Sequence, residues 1–134
     1  MVRHSDAAIV LDAGAVIGLA RGNAALRALV VTAHRAGNEI IVPMVVLAQT
    51  VRGEGPRDAA VNLTLAQFAP HPPLDEPTAC LAGSLLGAAR SNSTIDALVA
   101  AEALRRAPSL VLTGDPDDLG ALLAGQRGVS IERI

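Results

Sequence analysis

The sequence predicts an α/β fold in which a mostly parallel sheet is covered by helices on both faces. Short apolar runs that read as buried strands alternate along the chain with longer segments of helical composition. Hydrophobic residues make up 51% of the 134 residues, enough for a substantial core and against disorder. The length corresponds to one domain, and no linker or repeat interrupts the chain, so we expect residues 1–134 to form a single unit.

The first half of the chain contains two predicted strands. Residues 7–11 form an apolar run that ends at Asp12, and residues 39–42 form another that ends at Pro43. Gly37 and Asn38 stop the helix that precedes the second strand, and Pro43 suits the first turn of the helix that follows it. The helices expected here span residues 14–20, 24–36, 44–52 and 57–67, with a turn at residues 53–56.

The second half repeats the alternation. Pro70, Pro72 and Pro73 flank a short extended segment that favours an edge strand. Residues 91–94 supply capping side chains for the helix that follows them, and Pro116 opens the last helix. Helices are expected at residues 76–89 and 95–106, and strands at residues 109–113 and 129–131. The sheet should therefore have four or five strands.

The charge pattern restricts the possible functions. All 11 basic residues are Arg, which excludes the phosphate-binding lysine of a P-loop. A net charge of −2 gives no global attraction to nucleic acid, so RNA binding would need a metal ion or a local Arg patch. Four Arg residues near predicted element ends are candidates for phosphate contacts, although each is more often solvated or ion-paired: Arg21, Arg52, Arg57 and Arg90.

Other residue types give mainly negative information. Cys80 is the single cysteine, which excludes an internal disulfide, and its apolar neighbours predict a buried side chain. His4, His34 and His71 have neither metal-ligand spacing nor a partner nucleophile. The N-terminus lacks the apolar region of a signal peptide, and no uncharged apolar run reaches the roughly 18–20 residues of a membrane span. We therefore expect a cytoplasmic protein.

Three acidic residues are expected at one edge of the sheet. Asp12 directly follows the first strand, and Asp115 follows the strand at 109–113 after one glycine. Asp96 lies in the first turn of a helix whose N-terminus should face the same edge. Parallel α/β sheets bind ligands at the carboxyl ends of their strands, so the three carboxylates are expected to converge there.

Crowded carboxylates repel one another, and a hard divalent cation relieves that repulsion. Mg²⁺ takes one or two protein carboxylates, binds phosphate oxygens and activates water for phosphodiester hydrolysis. Structural explanations compete with this one, because Asp96 also favours a helix N-terminus and Asp115 also suits an Asp-Pro turn. Asp117 and Asp118 are typical solvated first-turn acids. An acid that closes a buried strand, as Asp12 does, has the weakest structural explanation.

Four segments of the chain form an ordered set of motifs. They are Val10-Leu11-Asp12-Ala13-Gly14-Ala15, Val42-Pro43 with Ala48-Gln49-Thr50-Val51-Arg52-Gly53, Ile95-Asp96-Ala97-Leu98-Val99-Ala100-Ala101, and Leu112-Thr113-Gly114-Asp115-Pro116-Asp117-Asp118-Leu119. In this order they resemble the motifs of a PIN domain, and more narrowly those of the VapC-type toxins of bacterial toxin–antitoxin pairs. Any one motif alone is a weak signal, whereas all four in order at these spacings are specific, and they extend from the first strand almost to the C-terminus.

The resemblance implies a PIN-like α/β/α sandwich and an endoribonuclease that uses Mg²⁺ or Mn²⁺. It also implies a homodimer and a small VapB-type antitoxin that presses a segment into the active-site groove, with apolar contacts from Met44, Val45 and Leu47. The family's first, third and fourth acids correspond to Asp12, Asp96 and Asp115. Asp117 or Asp118 would assist in metal binding, and Thr113 matches a position that often carries a hydroxyl near the site.

The sequence departs from the family at its second acid, which falls at Gln49. Glutamine keeps an acceptor oxygen but loses the charge, so it cannot act as a base and should weaken the metal site. Glu39 and Glu54 are the nearest acids along the chain, and neither is well placed to substitute. The alternative reading is a degenerate domain that binds antitoxin or RNA with little or no cleavage.

Two other α/β classes place an aspartate after the first strand. Haloacid-dehalogenase enzymes need a second aspartate two residues later, where this chain has Gly14. Response-regulator receivers need a lysine late in the sheet, and the chain has none. Both classes are therefore disfavoured.

Overall fold

The computed structural model describes residues 7–134, so His4 lies outside the described residues. Its strands are β1 (Ala8–Leu11), β2 (Ile40–Ile41), β3 (Ser109–Thr113) and β4 (Val129–Arg133). The helices are α1 (Ala13–Ala20), α2 (Ala24–Arg35), α3 (Met44–Thr50), α4 (Gly55–Ala66), α5 (Glu76–Ala89), α6 (Thr94–Arg105) and α7 (Pro116–Leu122).

The four strands form one parallel sheet in the order β2-β1-β3-β4. The chain passes from β1 to β2 on one side and from β3 to β4 on the other, so the strand order reverses between β1 and β3. Right-handed crossovers in opposite directions place α1 and α2 on one face of the sheet and α7 on the other. The predicted α/β class with a parallel sheet is confirmed, and the reversal point is where such sheets bind ligands.

The two central strands form the middle of the core. Val10, Leu11, Val111 and Leu112 have no exposed surface, because both faces of these strands are covered. Strands of this kind read as continuous apolar runs rather than as alternating ones, which is why both could be found in the sequence. Helix α6 contacts β1 and β3, and its small buried side chains permit close approach to the elements around it: Ala97, Ala100, Ala101 and Ala103.

Strand β2 is shorter than predicted, with two residues instead of four. It pairs only with Ile9 and Val10 of β1, and Pro43, which has no backbone N–H, ends the pairing. The predicted edge strand around Pro70, Pro72 and Pro73 is wrong, because no residue between α4 and α5 is in a strand. Three prolines without N–H donors cannot form a ladder, and Pro72 and Leu74 instead lie beside Leu98 of α6.

The prediction that Cys80 is buried is also wrong, since its side chain is exposed. The buried positions of α5 are Thr78, Ala82 and Leu85, which recur at helical spacing on one face. Cys80 is two residues from Thr78, about 200° around the helix at 3.6 residues per turn, and therefore faces outward. Its apolar neighbours belong to a helix that is apolar on more than its buried side.

Asp58 holds the connection between α3 and α4. Its carboxylate accepts hydrogen bonds from the backbone amides of Arg52, Gly53 and Glu54, at 2.8–3.2 Å. Desolvation raises the pKa of this carboxyl, but the three amide hydrogen bonds and nearby Arg57 outweigh it and lower the pKa below its ordinary value. The turn after α3 is thus fixed by a single carboxylate.

Within residues 7–134, no individual helix has both the length and the apolar character that crossing a membrane requires. Helices α1 and α2 meet these criteria only when counted as a pair, across a bend of 106°.

Candidate metal centre

Asp12 directly follows β1 and begins α1. Its Oδ1 accepts a hydrogen bond of 2.9 Å from the backbone N–H of Ala15, so the side chain is the N-cap of α1. The residue is only 9% exposed, and its charge also interacts favourably with the positive end of the helix dipole. One carboxylate oxygen therefore has a structural role, and Asp12 is fixed at the carboxyl edge of the central strand.

Asp115 stands at the corresponding position after β3, at the start of α7. Its backbone N–H donates a 2.8 Å hydrogen bond to Oγ1 of Thr113, a residue with no exposed surface. The Asp115 side chain makes no capping hydrogen bond to α7 and is exposed. Thr113 thus orders the turn without facing solvent, which makes it a positioning residue, and the Asp115 carboxylate is left to interact with other groups.

Three carboxylates come together at this edge, from Asp96, Asp115 and Asp118; we call them the acidic group. One oxygen from each lies within 4.8 Å of the others. Asp96 extends from the first turn of α6, whose N-cap residue Ser93 makes no side-chain capping bond. The first turns of α6 and α7 therefore deliver their acids to one place, beside the reversal point between β1 and β3.

The electrostatics of the acidic group show this crowding. Burial raises the pKa of Asp96, and the charges of Asp115, Asp118 and Asp12 raise it further. A hydrogen bond shared with the Asp115 carboxyl raises the pKa of Asp118, assisted by the charge of Asp115. Like charges at this spacing disfavour ionisation, and the raised pKa values of Asp96 and Asp118 mean that these two carboxyls bind a proton more readily than isolated ones do.

Asp12 and Asp117 are not members of the acidic group, but the charge of each acts on one of its members. Asp12 is near enough for its charge to raise the pKa of Asp96, but its ligand atoms are not within the 4.8 Å set. Asp117 is exposed, and its charge acts on Asp118. The structure therefore brings together Asp96 and Asp115 from the predicted metal ligands and places Asp12 beside them. Of the two predicted helpers, it brings Asp118 into the acidic group and leaves Asp117 outside.

Helix geometry explains why Asp118, and not Asp117, belongs to the acidic group. Asp115 is the N-cap of α7, and Asp118 follows it by three residues, so the two side chains lie on the same side of the helix start. Asp117 follows Asp115 by two residues and points elsewhere. With Pro116 as the first residue of α7, the sequence itself contains the three-residue spacing between Asp115 and Asp118.

Gln49 lies half-buried on α3, a helix that packs against both α1 and α6. The nearest acids along the chain, Glu39 and Glu54, are not members of the acidic group. Glu39 forms a 2.9 Å ion pair with Arg106, and Glu54 is the exposed N-cap residue of α4, beyond the turn fixed by Asp58. Neither Glu39 nor Glu54 therefore replaces the charge that is absent at Gln49.

Gly14 allows α1 to approach the turn that carries Asp115. A Cβ atom at this position would lie 3.2 Å from the backbone N of Gly114, 3.4 Å from its Cα and 3.3 Å from Oδ1 of Asp12. The first two neighbours are backbone atoms with little freedom to move. A glycine at position 14 therefore sets the separation between the two halves of the site.

Gly14→Ala should separate α1 from the turn that carries Asp115 and weaken metal binding, without unfolding the protein. We expect a net loss of about 1 kcal/mol in stability, since overpacking costs about 1–3 kcal/mol and the helix preference of Ala offsets about 0.5–1 kcal/mol. The affinity for Mn²⁺ should fall by a few-fold, measured by calorimetric titration. Gly83→Ala is the matched control, because no atom lies within 4 Å of its Cβ position, and it should leave metal affinity unchanged. Equal Mn²⁺ affinities of the two variants would contradict the positioning role.

The donor set fits a hard divalent cation. Carboxylate oxygens are the ligands that Mg²⁺ prefers, and oxygens bound at about 2.1 Å lie up to about 4.2 Å apart across the ion. The 4.8 Å spread of the acidic group needs only a small contraction to meet this geometry. A bound cation would also remove the repulsion that raises the pKa of Asp96. The acidic group is therefore a candidate site for Mg²⁺ or Mn²⁺.

Comparison of the chain with known protein families finds no family that matches it, and no curated protein is significantly similar in sequence.

Proposed function

We propose that this chain is a metal-dependent endoribonuclease of the PIN type, and within that class the VapC-like toxin of a toxin–antitoxin pair that acts in the cytoplasm. The observation that carries the proposal is the meeting of Asp96, Asp115 and Asp118 at the reversal point of a parallel sheet, with Asp12 beside them. The resemblance of the ordered sequence motifs supports the proposed family, and the acidic group supports the proposed metal-dependent hydrolysis.

Each residue has a distinct part in this proposal. Asp96, Asp115 and Asp118 hold Mg²⁺ or Mn²⁺, and Asp12, fixed by the α1 N-terminus, adds negative charge beside it. When bound, the cation supplies a water-derived nucleophile and neutralises charge on the scissile phosphate. Thr113 accepts the hydrogen bond that orders the turn at Asp115, and Gly14 allows the helix that begins after Asp12 to lie close to that turn.

RNA is the expected substrate, and cations near the carboxyl edge support this. Arg133 ends β4 in register with Thr113 and is exposed, and Arg90 is exposed four residues before α6 begins. Both belong to segments that end or begin near the acidic group, where they would contact phosphates on either side of the scissile bond. Arg52 is less suited to this role, since its guanidinium donates to the carbonyl of Ala48.

The expected partners are a second copy of the chain and a VapB-type antitoxin. Helix α3 offers a suitable apolar surface, since Met44 is 39% exposed and Val45 and Leu47 are half-buried. Met44 would form the exposed part of this surface, with Val45 and Leu47 at its edge, since contiguous exposed apolar patches mark protein–protein interfaces. A dimer and an antitoxin complex, both detectable by light scattering, are the expected assemblies.

A second candidate function is a domain that binds antitoxin or RNA without efficient cleavage. Gln49 favours it, because the side chain that replaces the family's second acid carries no charge and no nearby acid along the chain substitutes for it. Three carboxylates nevertheless exceed the one or two that Mg²⁺ commonly takes from a protein. The first proposal therefore expects weakened rather than abolished activity.

Gln49→Glu should increase RNA cleavage. The added charge strengthens attraction for the metal, so activity at limiting Mn²⁺ should rise by about tenfold, a difference of about 1.4 kcal/mol. The assay follows cleavage of a mixed RNA by purified protein in millimolar Mn²⁺, with EDTA as the metal-free control. Cleavage by wild type supports the nuclease; cleavage by Gln49→Glu alone supports the binding-only domain. Absence of metal-dependent cleavage by both would contradict the nuclease proposal.

A further inference from the structure

A second concave site lies away from the acidic group, between α2 and α4 beside the end of α1. We call it the α2–α4 cleft, and its volume is about 370 Å³. This is within the range of about 300–1,000 Å³ that small-molecule sites occupy. The lining residues that carry its chemistry are Arg27, His34, Arg35, Val30, Val31 and Phe68.

The rim of the α2–α4 cleft is cationic. Arg27 and Arg35 are exposed at its mouth with His34 between them on α2, and none of the described residues that line the cleft is acidic. Across residues 7–134 the ion pairs involve only Arg105 and Arg106 among the arginines, so neither rim arginine is neutralised by a carboxylate there. On a protein of net charge −2, this is a local concentration of positive charge that no carboxylate among residues 7–134 pairs with.

The floor of the cleft is apolar. Val30 is 2% exposed, Val31 and Leu19 are half-buried, and the ring of Phe68 is half-buried at the end of α4. Phe68 is the only Phe, Tyr or Trp in the chain. An aromatic ring under unpaired arginines can contact the flat or apolar part of a ligand while the guanidinium groups bind its charge.

We propose that the α2–α4 cleft binds a small amphipathic anion, an apolar or aromatic body that carries a carboxylate, sulfonate or phosphate. Charge complementarity selects an anion, and the apolar floor selects a ligand with a hydrophobic part. A nucleic-acid backbone matches the charge of the rim but leaves the floor without an apolar counterpart, so a free small molecule with a hydrophobic part fits better than an RNA backbone. This site does not depend on the nuclease proposal.

The test uses 8-anilinonaphthalene-1-sulfonate, an aromatic sulfonate, and its uncharged counterpart N-phenyl-1-naphthylamine. Fluorescence titration gives the affinity for each probe. Because Phe68 is the sole phenylalanine, protein labelled with ¹³C-phenylalanine gives one set of ring signals, which reports occupancy of the cleft directly. The variant Arg27→Gln/Arg35→Gln removes the rim charges, and Arg21→Gln/Arg127→Gln changes the net charge equally at exposed positions outside the cleft.

The proposal expects one sulfonate probe per chain, nuclear Overhauser contacts between the naphthalene and the Phe68 ring, and weaker binding of the uncharged probe. The rim variant should bind the sulfonate at least about tenfold more weakly, and the control variant should bind it as wild type does. Three results would each overturn the proposal: Phe68 signals that do not respond, equal binding by the two variants, or displacement of the probe by a short single-stranded RNA.

Discussion

Asp96→Asn should abolish metal-dependent RNA cleavage, with a loss of at least about 100-fold. Substitution of groups that only orient metal ligands already costs about 10–100-fold in affinity or activity, and Asp96 is itself in the acidic group. The same substitution should slightly stabilise the metal-free protein at neutral pH. Its ionised carboxyl is partly buried and faces like charges from Asp115, Asp118 and Asp12, and asparagine removes both the cost of burying a charge and the repulsion.

The direction of the stability change follows from the pKa of Asp96. The pKa of Asp96 in the folded protein is raised above the ordinary value of 3.8. Ionisation of this carboxyl therefore lowers the free energy of unfolding, and the loss develops as the pH rises from the ordinary pKa through the folded pKa. The Asp96→Asn substitution should therefore add up to about 1 kcal/mol of stability at pH 7, limited by solvent screening, and nothing below the ordinary Asp pKa. Asp117→Asn removes an equal charge outside the acidic group and should retain cleavage. A cleaving Asp96→Asn variant would contradict the site.

Asp12 combines two roles, and two substitutions separate them. Asp12→Asn keeps an oxygen that can cap α1, so stability should change by only a few tenths of a kcal/mol while cleavage falls at least about 100-fold. Asp12→Ala also loses the 2.9 Å hydrogen bond to the Ala15 N–H and should cost about 1 kcal/mol more. Thermal unfolding measures the effect on stability, and the cleavage assay measures the effect on activity.

Asn23 supplies the matched control for the capping role. It caps α2 through a 3.0 Å hydrogen bond to the Leu26 N–H, so Asn23→Ala should lower stability by about 1 kcal/mol and leave cleavage unchanged. If Asp12→Asn cleaves RNA as well as wild type does, Asp12 is a structural cap alone and the site consists of the acidic group without it.

The regular elements were largely predictable because local chemistry specified them. The bounds of β3 and α5 agree with the strand expected at residues 109–113 and the helix expected at residues 76–89. The structure adds that Asp75 caps α5, since its side chain accepts a hydrogen bond from the Thr78 N–H. Errors arose where tertiary context decided the outcome. β2 is limited by the extent of its pairing with β1, and the proline-rich segment has no strand partner among the described residues.

The candidate site was predictable to the level of the sheet edge but not of the side chain. Topology alone brings Asp115, which follows β3, and Asp96, in the first turn of α6, to one end of a parallel sheet. The sequence leaves Asp117 and Asp118 as alternatives, and the structure places Asp118, three residues after the N-cap residue Asp115, in the acidic group. The close approach of Gly14 to Gly114 and the α2–α4 cleft arise from packing between distant segments, which no local pattern specifies.

The central claim is that the acidic group binds a divalent cation, and calorimetric titration of the purified protein with Mn²⁺ tests it most directly. The account predicts one site per chain, at least about tenfold weaker binding by Asp118→Asn, and unchanged binding by Asp117→Asn, its neighbour of equal charge outside the group. Binding that both substitutions weaken equally, or no binding by wild type at millimolar Mn²⁺, would contradict it.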